Sequence, residues 1–129
     1  MRKIVVSIQN GLLAEAITTM LSGSDEFQPF RIAAGRKGDS VVSSCEMFEA
    51  ELLLSEVSYA SGTTVETRLR EAEEMRKHLP NCQIVFLCDE NSSPEIARTV
   101  TLAKKDGLID AFFYSSVTSK YLLAALSAL

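Results

Sequence analysis

Short apolar runs alternate with amphipathic stretches along the whole chain, and this alternation predicts its secondary structure. Five runs indicate β-strands, at residues 3–8, 29–34, 51–57, 82–88 and 108–114. Continuous apolar runs are typical of strands that are covered on both faces of a sheet. The run at 51–57 ends in a carboxylate, Glu56, and is expected to be the central strand. Pro29 opens the second run and favours an edge position for that strand.

The stretches between the runs carry apolar residues at helical spacing, so a helix is expected after each strand. The first helix is expected to bury one apolar stripe, made of Leu12, Leu13, Ala16, Ile17, Met20 and Leu21. The third helix is expected to begin at a capping box, Thr63-Thr64-Val65-Glu66, and to end at Pro80. Its inner side is expected to carry Val65, Leu69, Ala72 and Met75. Arg68 is expected among the charged residues of this helix that face mostly outward, toward solvent.

This alternation, with about 25 residues in each strand–helix unit, predicts a parallel sheet with helices on both faces. A chain of 129 residues suits one domain, at residues 1–129. Five strands favour the flavodoxin-like α/β fold, a doubly wound (βα)5 sheet in three layers with strand order 2-1-3-4-5. The functional site of such a fold lies beyond the carboxyl ends of the first and third strands.

Composition serves mainly to exclude function classes. No window reaches about 18 consecutive apolar residues, so no membrane span is expected, and the first strand begins without a secretory signal, which favours a cytoplasmic protein. The net charge of −4 argues against nucleic-acid binding by this domain. Three cysteines (Cys45, Cys82 and Cys88) and a single His78 lack the spacing of a zinc site, so buried thiols and no metal are expected.

The chain resembles the receiver domain of bacterial two-component response regulators over its whole length. Residues 3–6, 51–57 and 84–88 are similar to the family's first, third and fourth strands, residues 106–113 to the approach to its fifth strand, and residues 122–126 to its last helix. The resemblance implies a non-enzymatic signalling module. In that family an Asp that ends the third strand accepts a phosphoryl group, and acids after the first strand bind Mg²⁺.

The positions that carry this chemistry hold other residues here. They form the expected degenerate phosphoacceptor pocket: Gln9, Asn10, Glu56, Cys88, Tyr114 and Ser115. The acid pair matches residues 8–9 or 9–10, and the lysine position matches Tyr114 or Ser115, depending on register. Neutral amides are poor Mg²⁺ ligands. The chain is therefore expected to be a pseudo-receiver that binds no Mg²⁺ or other cofactor and undergoes no standard phosphorylation.

Glu56 matches the phosphoacceptor, and two hypotheses follow from its chemistry. Glu is one methylene longer than Asp and keeps its negative charge, so Glu56 could imitate part of the phosphorylated state and fix one conformation. The alternative is a solvated residue at the end of a strand, with no signalling role.

The resemblance also implies a surface for a protein partner or a homodimer, along the fourth helix, the fifth strand and the fifth helix. Its expected residues are Lys104, Lys105, Asp106, Tyr114 and Tyr121. The alternative is a charged helix end, where basic residues are placed favourably. The domain could act alone or within a longer regulator, one with a DNA-binding part for example, and no membrane contact is expected.

Several further interpretations stay open on the same scaffold. The chain could be an enzyme or a small-ligand binder, because fold alone does not fix function, or a receiver phosphorylated by unusual chemistry. Glu56, Asp89 and Glu90 could converge on a metal, and residues 35–38 could hold a phosphate. A thiol–base pair of Cys88 and His78 is disfavoured, since the two residues lie at opposite ends of one predicted strand.

Overall fold

The computed structural model describes residues 1–32, 40–89 and 93–129, which form a parallel sheet between two helical layers. The strands are β1 (Arg2–Ser7), β2 (Phe27–Ile32), β3 (Leu52–Val57), β4 (Gln83–Cys88) and β5 (Ala111–Tyr114). The helices are α1 (Gly11–Ser22), α2 (Val41–Phe48), α3 (Val65–His78), α4 (Pro94–Lys105) and α5 (Ser119–Ser127). The strand order is β2-β1-β3-β4-β5, with every pair parallel. The predicted flavodoxin-like fold is confirmed.

The central strand β3 is buried along its whole length. Its side chains alternate between two cores, because successive residues of a strand point to opposite faces. Leu53 and Val57 pack in the core under α2, α3 and α4, whereas Leu52 and Leu54 pack in the core under α1 and α5. The same alternation assigns Glu56 to the α1–α5 face of the sheet, at its carboxyl edge.

Side-chain caps start all five helices: Asn10, Ser40, Thr64, Ser93 and Thr118. The predicted capping box is wrong by one residue, since Thr64 rather than Thr63 accepts a hydrogen bond, from Thr67 N. Thr63 is instead buried in the preceding loop, where its hydroxyl donates to Ala60 O over 3.0 Å.

The predicted apolar stripe of α1 is too wide. Leu12 is 82% exposed, and Ala16 is also exposed, because the buried face is centred on Ala14, Ile17 and Leu21. Strand β2 is an edge strand as predicted, but it begins two residues before Pro29.

Strand β5 is shorter than predicted, because Leu108 and Ile109 do not pair in the sheet. Their N–H groups donate instead to Ala103 O, near the end of α4. The predicted turn at 35–38 lies outside the described residues. Among the described residues, no helix has both the length and the apolar character needed to cross a membrane.

Candidate functional site at the β1–β3 edge

Glu56 is held at the carboxyl edge of the sheet by the loop that follows β1. Only 8% of the residue is exposed. Its Oε1 accepts hydrogen bonds from Gln9 N at 2.8 Å and from Asn10 N at 3.3 Å. Asn10 also caps α1, so the carboxylate lies close to a helix N-terminus, where negative charge is favourable. The interpretation of Glu56 as a solvated strand-end residue is therefore wrong.

A buried arginine contacts the same edge from the other face of the sheet. Arg68 of α3 is 1% exposed. Its Nε donates to Glu56 O over 2.7 Å, and its Nη2 donates to Ser7 O over 2.8 Å. Its Nη1 donates to Ser7 Oγ and to Glu71 Oε1, both over 2.9 Å. The prediction that Arg68 faces solvent is wrong.

Together these contacts connect the ends of β1 and β3 on both faces of the sheet. The β1–β3 pairing ends at Ser7 and Ser55. At this end of the pairing, Arg68 donates to the main-chain carbonyls of Ser7 and Glu56 on the α3 side of the sheet. On the α1 side, the Glu56 carboxylate accepts from the amides of the loop after β1. We call Ser7, Gln9, Glu56 and Arg68 the β1–β3 clasp.

The structure brings together only part of the predicted pocket. A shallow depression of about 290 Å³ lies at this edge, lined by Gln9, Asn10, Glu56, Ser58, Ala60 and Asp89. Cys88 is paired with Tyr114 across β4 and β5, and Cys88 O accepts from Ser115 N at 2.8 Å. The Cys88 side chain packs into the core under α2, α3 and α4. The predicted residues Cys88, Tyr114 and Ser115 are thus connected to one another by main-chain pairing at the ends of β4 and β5.

The loop after β1 offers poor ligands for the Mg²⁺ that the receiver resemblance implies. Gln9 and Asn10 offer neutral amides, and Asn10 Oδ1 already accepts a hydrogen bond from Leu13 N. Glu56 Oε1 already accepts two N–H groups. In the described ranges, no three His, Cys, Asp or Glu residues group closely enough to hold a metal ion. The alternative set of Glu56, Asp89 and Glu90 includes Glu90, which lies outside the described residues.

Burial makes the thiols of this protein poor nucleophiles. Burial is the largest cause that raises the pKa of Cys88 to about 11, of Cys82 to about 11 and of Cys45 to about 12. His78 is exposed and lies 3.4 Å from Glu74 and 3.6 Å from Glu46. The raised pKa of Cys88 therefore argues against a nucleophile–base pair of Cys88 and His78.

We expect these cysteines to resist an aromatic disulfide reagent at pH 8 in the folded protein and to react fully in urea. The unfolded thiols ionise near their usual pKa of 9.0, whereas the folded thiols ionise only near pH 11 to 12. Their burial therefore stabilises the fold below about pH 9, and this contribution is lost as the pH rises toward 11. Fast labelling of the folded protein at pH 8 would contradict the assignment.

The predicted partner surface is exposed and partly apolar. Lys104, Lys105 and Asp106 are exposed at the end of α4. Tyr114 is 38% exposed and Tyr121 is 61% exposed. A shallow apolar depression of about 360 Å³ follows the β5 edge, lined by Phe112, Phe113, Tyr114, Ser116 and Val117.

Aromatic contacts fix the tyrosines of this surface. The rings of Tyr114 and Phe112 lie 6.3 Å apart edge to face, and those of Tyr121 and Phe113 lie 6.2 Å apart. Such arrangements are favoured by the aromatic quadrupole. Each tyrosine is therefore exposed and also contacts a neighbouring aromatic ring.

Solved structures share this fold at low sequence identity. A DNA-binding response regulator of the LuxR family from Staphylococcus aureus matches with a TM-score of 0.76 and 12% identity, over 99% of this chain and 98% of that one. The chemotaxis protein CheY4 from Vibrio cholerae matches with a TM-score of 0.74 and 16% identity, over 99% and 98%. A structure described as an adenylate cyclase from Rhodopirellula baltica matches with a TM-score of 0.73 and 15% identity, over 98% and 85%.

No family model and no curated protein matches the sequence itself. The chain has the fold of a response-regulator receiver domain, and its similarity to these proteins is one of fold.

Proposed function

We propose that this receiver fold is a signal-transduction module that acts through protein contacts and undergoes no standard phosphorylation. The observation that carries the proposal is the state of Glu56. The carboxylate at the phosphoacceptor position is buried and bonded to the amides of Gln9 and Asn10. These bonds hold Oε1 on the loop after β1 and fix the orientation of the carboxylate, so only Oε2 is left to act as a nucleophile.

The electrostatics of the depression support the same conclusion. Phosphoryl transfer depends on cations that neutralise the charge developing on the phosphoryl oxygens. The amides of Gln9 and Asn10 are poor Mg²⁺ ligands, and Arg68 is a cation that bonds to Glu56 only through its main-chain carbonyl. Its four hydrogen bonds go to Ser7, Glu56 O and Glu71 beneath the edge, so its N–H groups are directed away from an incoming phosphoryl group.

The surface that we propose for the protein partner, or for a second copy of this chain, is the α4–β5–α5 face. Exposed tyrosines are enriched where protein interfaces bury large area at low entropic cost. Tyr114 and Tyr121 lie beside the apolar β5 edge, and basic residues flank it at Lys104 and Lys105. This combination favours an apolar contact centre with a charged rim.

Replacing both Tyr114 and Tyr121 with Ser should weaken self-association, or the binding of an identified partner, at least about tenfold. The variant removes two exposed rings without removing a buried core residue. Sedimentation equilibrium measures self-association, and calorimetry measures a partner.

The matched control is Leu12→Ser, which removes an exposed apolar side chain from α1, a helix that is not part of the proposed surface. Equal weakening in the control, or unchanged association in the double variant, would reject this surface. A chain that stays monomeric at all concentrations would reject the homodimer.

A further inference from the structure

The β1–β3 clasp has an unusual composition for the edge of a parallel sheet. Its cation is fully buried, and three of that cation's four bonds go to groups of Ser7 and Glu56, on two different strands. The acceptors include both main-chain carbonyls. The fourth bond is the ion pair with Glu71, which is partly exposed at the surface of α3.

We propose that Arg68 and Glu56 act as one unit that locks the carboxyl ends of β1 and β3 in a single arrangement. The chain's own guanidinium and carboxylate then connect the two strands, and no bound divalent cation is needed for that. This inference deepens the proposed function and rests on it in one respect, that the Glu56 carboxylate is not phosphorylated.

Arginine suits this role better than any other side chain. Its planar fork can donate to several acceptors in fixed directions, whereas a lysine has one nitrogen and would reach fewer of them. Removing a guanidinium from water is costly unless its donors are satisfied. Here the main-chain carbonyls of Ser7 and Glu56, the Ser7 hydroxyl and the Glu71 carboxylate satisfy four of them.

The two halves of the clasp meet in a single residue, because Glu56 takes part in both. Its carbonyl accepts from Arg68 on the α3 side, and its carboxylate accepts from Gln9 and Asn10 on the α1 side. A displacement of the Glu56 main chain therefore moves its carboxylate away from the loop amides. Arg68 is in this sense a positioning residue: it acts on the loop at Gln9 and Asn10 through Glu56.

Amide hydrogen exchange of Gln9 and Asn10, followed by NMR, tests this coupling. Arg68→Met should raise both exchange rates at least about tenfold relative to Leu54, whose amide in the buried β3 reports global unfolding. In a Glu56→Ala background the same change should add less than about threefold, because the carboxylate that Arg68 positions is already gone.

Two further variants keep the test decisive. Arg68→Lys should fold if Arg68→Met does not. It should accelerate the amide exchange of Gln9 and Asn10 less than Arg68→Met does, and this acceleration should also shrink in the Glu56→Ala background. Arg70→Met, on an exposed arginine of the same helix, should leave both rates within about twofold.

The proposal is overturned if Gln9, Asn10 and Leu54 accelerate by one common factor, since Arg68 would then support only global stability. It is also overturned if the effect of Arg68 is the same with and without Glu56. Mg²⁺ alone is the second probe. The Gln9 and Asn10 amide signals should not shift at millimolar Mg²⁺, and saturable shifts would show that a cation can still enter. Neither measurement uses a phosphoryl donor, so failure of the clasp and failure of the proposed function remain distinguishable.

Discussion

Replacing Arg68 with Met lowers the free energy of unfolding by about 3–5 kcal/mol. Met fills a similar volume but donates no hydrogen bond. Ser7 O, Ser7 Oγ and Glu56 O would each lose a buried donor, at a cost of about 1–3 kcal/mol for each group left unsatisfied. Glu71 costs less, because it is partly exposed and can be hydrated. Urea unfolding followed by far-UV circular dichroism measures the loss.

Two matched variants show whether the lost hydrogen bonds of Arg68 cause the loss of stability. Arg70→Met should change the unfolding free energy by no more than about 0.5 kcal/mol, since Arg70 is exposed. Arg68→Lys should fall between the wild type and Arg68→Met, because a lysine keeps the charge but not the fork. A loss below about 1 kcal/mol in Arg68→Met would mean that water replaces the guanidinium at little cost.

The outward prediction for Arg68 is wrong although helical spacing indicates the buried face, and its role could not be predicted from the sequence. Val65, Ala72 and Met75 were expected on the inner face of α3, and residue 68 lies three after Val65 and four before Ala72. Helical spacing thus places Arg68 on the buried stripe, as the structure does. Its residue type indicated the surface instead, because Arg is seldom buried unless its donors are satisfied. The satisfying groups lie at the ends of β1 and β3, and no local pattern reveals them.

Glu56 illustrates the same limit. The apolar run before it placed this carboxylate at the carboxyl edge of a central strand, and the structure confirms that place. Its bonding partners are amides 46 and 47 residues earlier in the chain. Every residue except proline carries a main-chain N–H, so the residue types of the loop do not show which amides donate. A solvated carboxylate and a bonded one could therefore not be distinguished from the sequence. The hypothesis that Glu56 imitates a phosphorylated state stays a prediction, and its bonds run toward β1, away from β4 and β5.

Incubation with acetyl phosphate and Mg²⁺ should leave the mass of the protein unchanged. The reason is the chemistry of this edge: one oxygen of the Glu56 carboxylate is bonded to two amides, and Gln9 and Asn10 offer neutral amides that are poor Mg²⁺ ligands. Without a cation at the transferring group, the transition state lacks the charge neutralisation on which phosphoryl transfer depends. The expected difference from a functional receiver is large, because a functional receiver treated in parallel should be modified under the same conditions.

Intact-mass spectrometry after this incubation shows directly whether the β1–β3 edge accepts a phosphoryl group, with a phosphorylatable receiver domain as the positive control. Beryllofluoride with Mg²⁺, followed by NMR, extends the test to a phosphoryl analogue that needs no chemical step. We expect no added phosphoryl mass and no spectral shift. A gain of one phosphoryl group that disappears in Glu56→Ala or Ser55→Ala would show that the edge still accepts phosphate, and would overturn the proposed function.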